Sequence, residues 1–178
     1  MNRKEFLKGA AGTMAMAAFC GAGLNVKTSA AEGTLEEKVQ YLLDREAITE
    51  CQYRYARGCD LQDVALLASA FDETISVDYP TGTKIADVPG PGMAQGIVGN
   101  FIENNITTQH YMNMYEIKVD GDTATGLVYL RATHKKPDVD FWILGGYYEN
   151  SYVRTENGWK IKTVKLTTVY EEGVSYTG

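Results

Sequence analysis

The sequence predicts an α+β domain in which N-terminal helices are wrapped by a curved antiparallel sheet. Two observations predict this class. Apolar residues recur at helical intervals in the first half of the chain, and from residue 107 the pattern changes to long β-like runs joined by turn-forming residues. The chain has 178 residues, of which 44% are apolar, so it is long enough for one domain with a substantial core.

The helices are predicted from their start signals and their apolar spacing. Thr34 and Glu37 have the spacing of a capping box, which marks a helix start. The apolar residues that follow predict a long helix up to about Gly58, with or without a break near Asp44. Two further helices are predicted, over residues 61–72 and 93–105.

The strands are predicted from β-favouring runs bounded by turn residues. The segment ISVDYP at 75–80 predicts a short strand, and the Gly- and Pro-rich segment 81–92 predicts a loop. The joints VDGDT and TENGW carry the residues of tight hairpin turns. Four long strands are predicted, over residues 108–119, 123–135, 140–155 and 158–170.

Strand periodicity predicts where the two histidines point. In the second long run, His134 shares a face with the apolar residues Val128, Leu130 and Ala132, so it is predicted to point inward. The first run alternates less cleanly, and His110 is assigned inward with Met112 and Met114.

The first 31 residues have the composition of a signal peptide. They begin with a basic stretch, continue with a short apolar run and end in small residues. The start resembles a twin-arginine export signal with Lys4 in place of the second arginine, and an ordinary secretory signal is the alternative. We therefore expect export to the periplasm, cell envelope or extracellular space, with the domain occupying residues 32–178. N-terminal sequencing of exported protein tests this, and an intact Met1 would contradict it.

Charge and cysteine content restrict the partners. Removing residues 1–31 would leave 13 basic and 22 acidic residues, a net charge of −9. Such an acidic chain should repel nucleic acid, so no nucleic-acid partner is expected. A bulky Phe19 before Cys20 disfavours a lipid anchor, so no membrane anchor is expected either. Cys51 and Cys59 lie eight residues apart on one predicted helix, about 12 Å, which is too far for a disulfide.

Several segments together resemble a known family. They are LLDREAITECQYRYARGCDLQDVALLASAFDETISVDY, TTQHYMN, VDGDTATG and YYENSYVRTENGWKI. The chain is similar over nearly all of its predicted domain to the SnoaL-like branch of the nuclear transport factor 2-like superfamily. This resemblance implies a cone-shaped curved sheet wrapped around the N-terminal helices. Within the branch, the pattern is most similar to the scytalone dehydratases, with the hexachlorocyclohexane dehydrochlorinases as relatives.

The resemblance also implies a site. The scytalone dehydratases pair an aspartate at the end of the first helix with two histidines of the sheet, and the matching residues here are Asp60, His110 and His134. Tyr79 matches a tyrosine that holds a water against the substrate carbonyl. The tyrosine before the helix-end aspartate is replaced by Cys59, a departure that affects the substrate. Four further residues are assigned to substrate binding: Asn150 and Tyr55 by resemblance, and Tyr148 and Trp142 as members of an aromatic stripe.

Chemistry gives an independent reason for this set. A neutral imidazole can take a carbon-bound proton near neutral pH if a carboxylate orients one ring nitrogen and stabilises the imidazolium. A second histidine can assist the departing hydroxyl, so an elimination needs no metal or other cofactor.

The resulting hypothesis is a cofactor-independent dehydratase for a small cyclic or steroid-like hydroxy-carbonyl compound. Asp60 orients, His110 abstracts, and His134 donates or assists. A ketosteroid-type isomerase, a polyketide cyclase, a dehydrochlorinase, and a non-catalytic ligand-binding or oligomerisation domain are the alternatives. The apolar and aromatic alternation in 141–153 and 159–170 also predicts a homo-oligomer, a dimer or a trimer.

Overall fold

The structure is a computed structural model that describes residues 33–80 and 82–173. The predicted signal peptide, residues 1–31, lies outside the described residues. Within the described part of the chain, none of the helices combines the length and the apolar composition needed to cross a membrane.

The first helix, α1, spans Leu35–Asp60. Its capping box is confirmed, since the Thr34 side chain accepts from the Glu37 backbone N–H and the Glu37 side chain accepts from the Thr34 backbone N–H. The helix is continuous through Asp44, because that carboxylate is directed into the interior and is bonded by side chains of the sheet.

A turn after Asp60 leads into α2, Val64–Ala70, which is capped by the Asp63 side chain at the Leu66 N–H. The two helices pack at Gly58. A Cβ atom at this position would lie 2.6 Å from backbone atoms of Leu67, so the close approach of the helices requires glycine.

Six strands form one open sheet, in the order β2-β1-β6-β5-β4-β3. The pairs are antiparallel except for β1 and β6, which are parallel, so the sheet is mixed. The α+β class and the curved sheet are confirmed. The strands are β1 Phe71–Asp78, β2 Lys84–Pro89, β3 Thr107–Asp120, β4 Thr123–Lys135, β5 Trp142–Thr155 and β6 Gly158–Glu172.

One predicted loop is a strand instead. Residues 84–89 form β2 at the sheet edge, where five of the six residues are exposed. Prolines and glycines flank this strand, and Pro89 is tolerated because an edge strand leaves one side of its backbone unpaired. The third helix, α3, starts directly after it and spans Gly90–Glu103.

The core lies between α1 and the concave face of the sheet. Alternate residues of β4 are buried from Ala124 to His134, which confirms the predicted face of His134. Cys51 and Cys59 are buried and unbridged, as expected from their spacing. Asp44 and Asp60 lie 16 residues apart on α1, about 24 Å, so they belong to opposite ends of the core.

Candidate active site

Asp60 joins the C-terminal end of α1 to the start of β3. Its Oδ1 accepts hydrogen bonds from Thr108 Oγ1 at 2.9 Å and from His110 Nδ1 at 2.6 Å. Its Oδ2 accepts the His110 backbone N–H at 2.9 Å. Burial favours the neutral acid, but the hydrogen bonds from His110 and Thr108 outweigh it and hold the pKa of Asp60 below its ordinary value. The side chain is therefore a fixed carboxylate at neutral pH.

The contact with Asp60 determines how the His110 ring can act. A carboxylate only accepts hydrogen bonds, so the neutral ring carries its proton on Nδ1. The lone pair then lies on Nε2, on the opposite side of the ring from Asp60. His110 lines the cavity, and its side chain is only 6% exposed. The ring is thus an oriented base that is largely shielded from water.

His134 is the second imidazole of the site, with its ring centre 6.2 Å from that of His110. It stacks on Trp142 at 4.4 Å and is 8% exposed. Burial, with a smaller contribution from His110, lowers the pKa of His134 to about 4. The ring is neutral near pH 7. Its single N–H group can therefore donate a hydrogen bond, but the ring is not an imidazolium that could transfer a proton.

This shift predicts an acid-induced loss of stability. An unfolded histidine takes up a proton near pH 6.5 and folded His134 only near pH 4, so the unfolded state binds more protons in this window. We expect the free energy of unfolding to fall by about 2–3 kcal/mol between pH 6.5 and 4 through this residue. Urea unfolding at several pH values in this range measures the effect, and the free energy of unfolding of His134→Gln should fall less with decreasing pH than that of wild type. Parallel profiles for the two proteins would contradict the assignment.

The two histidines face one cavity of about 320 Å³. It lies between the C-terminal end of α1, α3 and the concave face of the sheet. Its lining is mostly aromatic and aliphatic, which suits a ring-bearing ligand. The aromatic lining residues are Tyr55, Tyr79, Phe101, Trp142 and Tyr148.

Three phenol groups lie among the polar lining residues. The Tyr55 and Tyr148 hydroxyls share a hydrogen bond of 3.3 Å. The Tyr79 hydroxyl is buried close to the Tyr55 side chain, but it makes no hydrogen bond of regular geometry within the described part of the chain. Burial raises the pKa of Tyr79 to about 12, so this group stays a neutral donor that can bind a ligand oxygen.

The structure brings together most of the predicted site residues. Asp60, His110 and His134 form one cluster, and Tyr55, Tyr79, Tyr148 and Trp142 line the same cavity. Their functional roles remain predictions.

Asn150 is placed elsewhere, which corrects its predicted position in the lining. It faces inward like Tyr148 but lies two residues further along β5, where Gln52 and Tyr152 fill the space beneath the cavity. Its Nδ2 donates to the Tyr152 hydroxyl at 3.5 Å, and the same hydroxyl accepts from Gln52 at 2.6 Å. Asn150 therefore belongs to a buried polar cluster.

The sequence interpretation missed two residues of the site. Thr108, a ligand of the Asp60 carboxylate, lies two positions before His110, so strand alternation could have placed it on the same face. Glu171 lines the cavity near the end of β6, and no sequence signal marks it. In residues 33–80 and 82–173 no group of three His, Cys, Asp or Glu side chains is arranged to hold a metal ion.

Comparison with protein families supports the resemblance. The SnoaL-like domain family matches residues 40–165, most of the described chain. The chain belongs to the SnoaL-like domain family. A solved structure of the Kfla4162 protein from Kribbella flavida is 30% identical, with a TM-score of 0.69 over 74% of this chain and 95% of that chain.

Two further solved structures share the fold of this SnoaL-like domain. A candidate scytalone dehydratase from Novosphingobium aromaticivorans is 23% identical, with a TM-score of 0.67 over 78% of this chain and 92% of that chain. The type 3 hexachlorocyclohexane dehydrochlorinase from Novosphingobium barchaimii is 18% identical, with a TM-score of 0.66 over 78% of this chain and 95% of that chain. None of the curated proteins compared matches the chain significantly. The fold is therefore one that small-molecule-converting enzymes also use.

Proposed function

We propose that the protein is a cofactor-independent dehydratase acting on a small cyclic or steroid-like hydroxy-carbonyl compound. The observation that carries this proposal is the 2.6 Å hydrogen bond between His110 Nδ1 and Asp60 Oδ1, which leaves His110 Nε2 available as a base in the cavity. The aromatic lining supports a ring-bearing substrate, and the dehydratase and dehydrochlorinase names of the structural neighbours support elimination chemistry.

The proposed reaction begins with proton transfer. His110 Nε2 takes a proton from the carbon next to the substrate carbonyl, and the Asp60 carboxylate stabilises the imidazolium that forms. The electron pair of the broken C–H bond forms an enolate. Hydrogen-bond donors such as the Tyr79 hydroxyl stabilise the negative charge on the enolate oxygen.

The leaving group then departs from the neighbouring carbon. The enolate collapses to a carbon–carbon double bond as the C–O bond breaks. Neutral His134 donates a hydrogen bond to the departing hydroxyl, and the His110 imidazolium returns its proton. Water leaves, His110 is neutral again, and no external reactant is consumed.

A substrate screen tests the proposal. Cyclic β-hydroxy-ketones and hydroxysteroids with a keto group are incubated with wild type and with His110→Ala, and the products are analysed by mass spectrometry. Loss of 18 mass units that depends on His110 is the expected result. Products of unchanged mass with a shifted double bond would replace the dehydratase by an isomerase, and no conversion of any compound would favour a binding domain.

The proposal includes self-association through the outer face of the sheet. Exposed large side chains cluster there, among them Tyr111, Tyr129, Val169 and Tyr170. We expect a dimer or a trimer, because association would remove this apolar surface from water. Light scattering at micromolar concentration measures the mass, and Tyr129→Glu should shift it toward the monomer. A monomeric wild type would refute this part of the proposal.

A further inference from the structure

Glu171 lies where the cavity opens to solvent. It pairs with Leu144 of β5, and cross-strand partners project from the same face, so its side chain points inward as Leu144 does. Its Oε2 accepts the Trp142 indole N–H at 3.0 Å. Glu171 is exposed, whereas Trp142 is buried. The carboxylate thus stands at the mouth, with one oxygen held by the indole and Oε1 still able to accept a hydrogen bond.

The cavity has an asymmetric charge distribution. Within residues 33–80 and 82–173, Glu171 is the only acidic side chain of the lining, and no Lys or Arg lines it. A second carboxylate, Asp60, lies directly behind the His110 ring. Lys135 follows His134 in sequence but donates to the Val139 carbonyl and lies over the Phe141 ring, 5.1 Å from its centre. The described lining therefore offers no cation to an anionic ligand.

We propose that Glu171 is a specificity-determining residue that makes the cavity select uncharged ring compounds over the same compounds carrying a carboxylate. An entering carboxylate would lose its hydration, find no cationic partner and be repelled by Glu171 and Asp60. An uncharged hydroxy-ketone avoids this repulsion, and its hydroxyl can donate to Glu171 Oε1. This inference deepens the proposed function, on which it rests for the site of substrate binding.

Ligand binding tests this without requiring turnover. The probes are α-tetralone, an uncharged bicyclic ketone, and the same skeleton with a ring carboxylate, measured by isothermal titration calorimetry at pH 7.5. Wild type should bind the uncharged probe at least about 100-fold more tightly. Glu171→Gln keeps an acceptor for the indole but removes the charge, so the preference should shrink about tenfold through tighter binding of the carboxylate probe.

Glu172→Gln is the matched control. Glu172 is the next residue of β6, is also acidic and exposed, and pairs with Ile143 rather than with a lining residue. It should leave both affinities unchanged. Circular dichroism confirms that each variant is folded.

Other outcomes overturn the inference. They are equal affinity of wild type for the two probes, no binding of either, an unchanged preference in Glu171→Gln, or equal weakening of both probes in that variant. The last result would mean that Glu171 acts only by holding Trp142. A cavity that discriminates the probes but dehydrates none of the screened compounds would overturn the proposed function and leave this inference standing. Dehydration of a screened compound without discrimination between the two probes would support the proposed function and overturn this inference.

Discussion

Asp60→Asn should lower the turnover of the hydroxy-ketone substrate by about 10²–10⁴-fold while preserving the fold. The asparagine amide can present its N–H₂ group to His110 Nδ1, which favours the tautomer with the proton on Nε2 and removes the lone pair that faces the cavity. It also withdraws the negative charge that stabilises the imidazolium. Initial rates at saturating substrate, for wild type and variant, measure the effect.

A double-mutant comparison separates catalysis from structure. His110→Ala should cost at least as much activity as Asp60→Asn, and the double variant should be little worse than His110→Ala, because the two residues act as one unit. A purely structural histidine gives another pattern, in which Tm falls while turnover per folded molecule is unchanged. Full activity in a folded His110→Ala protein would end the dyad hypothesis.

Arg154→Met should lower the free energy of unfolding by about 2–4 kcal/mol. Arg154 donates from Nη1 and Nη2 to the two carboxylate oxygens of Asp44 at 2.6 and 2.8 Å, and its guanidinium lies 4.5 Å from the Trp159 ring centre. The Asp44 side chain is only 7% exposed, so the variant leaves a buried carboxylate without its cation. The expected loss is smaller than for a fully buried ion pair, because a third of the Arg154 side chain is exposed to water.

The same guanidinium provides a matched control. Arg154 Nε also donates to Asp122 at 2.9 Å, but the Asp122 side chain is 82% exposed. Asp122→Asn should therefore cost less than about 1 kcal/mol. Urea unfolding at pH 7 measures both variants, and equal losses would contradict the importance of burial. Turnover should be unaffected in either, since Asp44 and Asp60 lie about 24 Å apart along α1.

The Arg154 effect should also depend on pH. The hydrogen bond from Arg154 holds the pKa of Asp44 below the ordinary value of 3.8. Its contribution to stability is therefore present above pH 3.8 and is lost as the pH falls through the lower folded value. The difference between wild type and Arg154→Met should shrink in the same direction.

Much of the fold follows from local patterns in the sequence. The capping box at Thr34 needs only residues of one turn, and strand alternation alone determines that His134 shares a face with Leu130 and Ala132. The change from helical to strand periodicity near residue 107 likewise separates α3 from β3. These features are readable because they depend on neighbours within a few positions.

The tertiary structure decided the features that depend on distant residues. Residues 84–89 form a strand because they pair with the free edge of β1, and no local sequence pattern predicts this pairing. Asn150 and Tyr148 have the same parity, yet only Tyr148 reaches the cavity, because Gln52 and Tyr152 fill the space at the level of Asn150. Glu171 lines the mouth because it pairs with Leu144. Alternation specifies the face of a strand, whereas depth within the cone and the choice of neighbouring strand are set by packing between segments far apart in the chain.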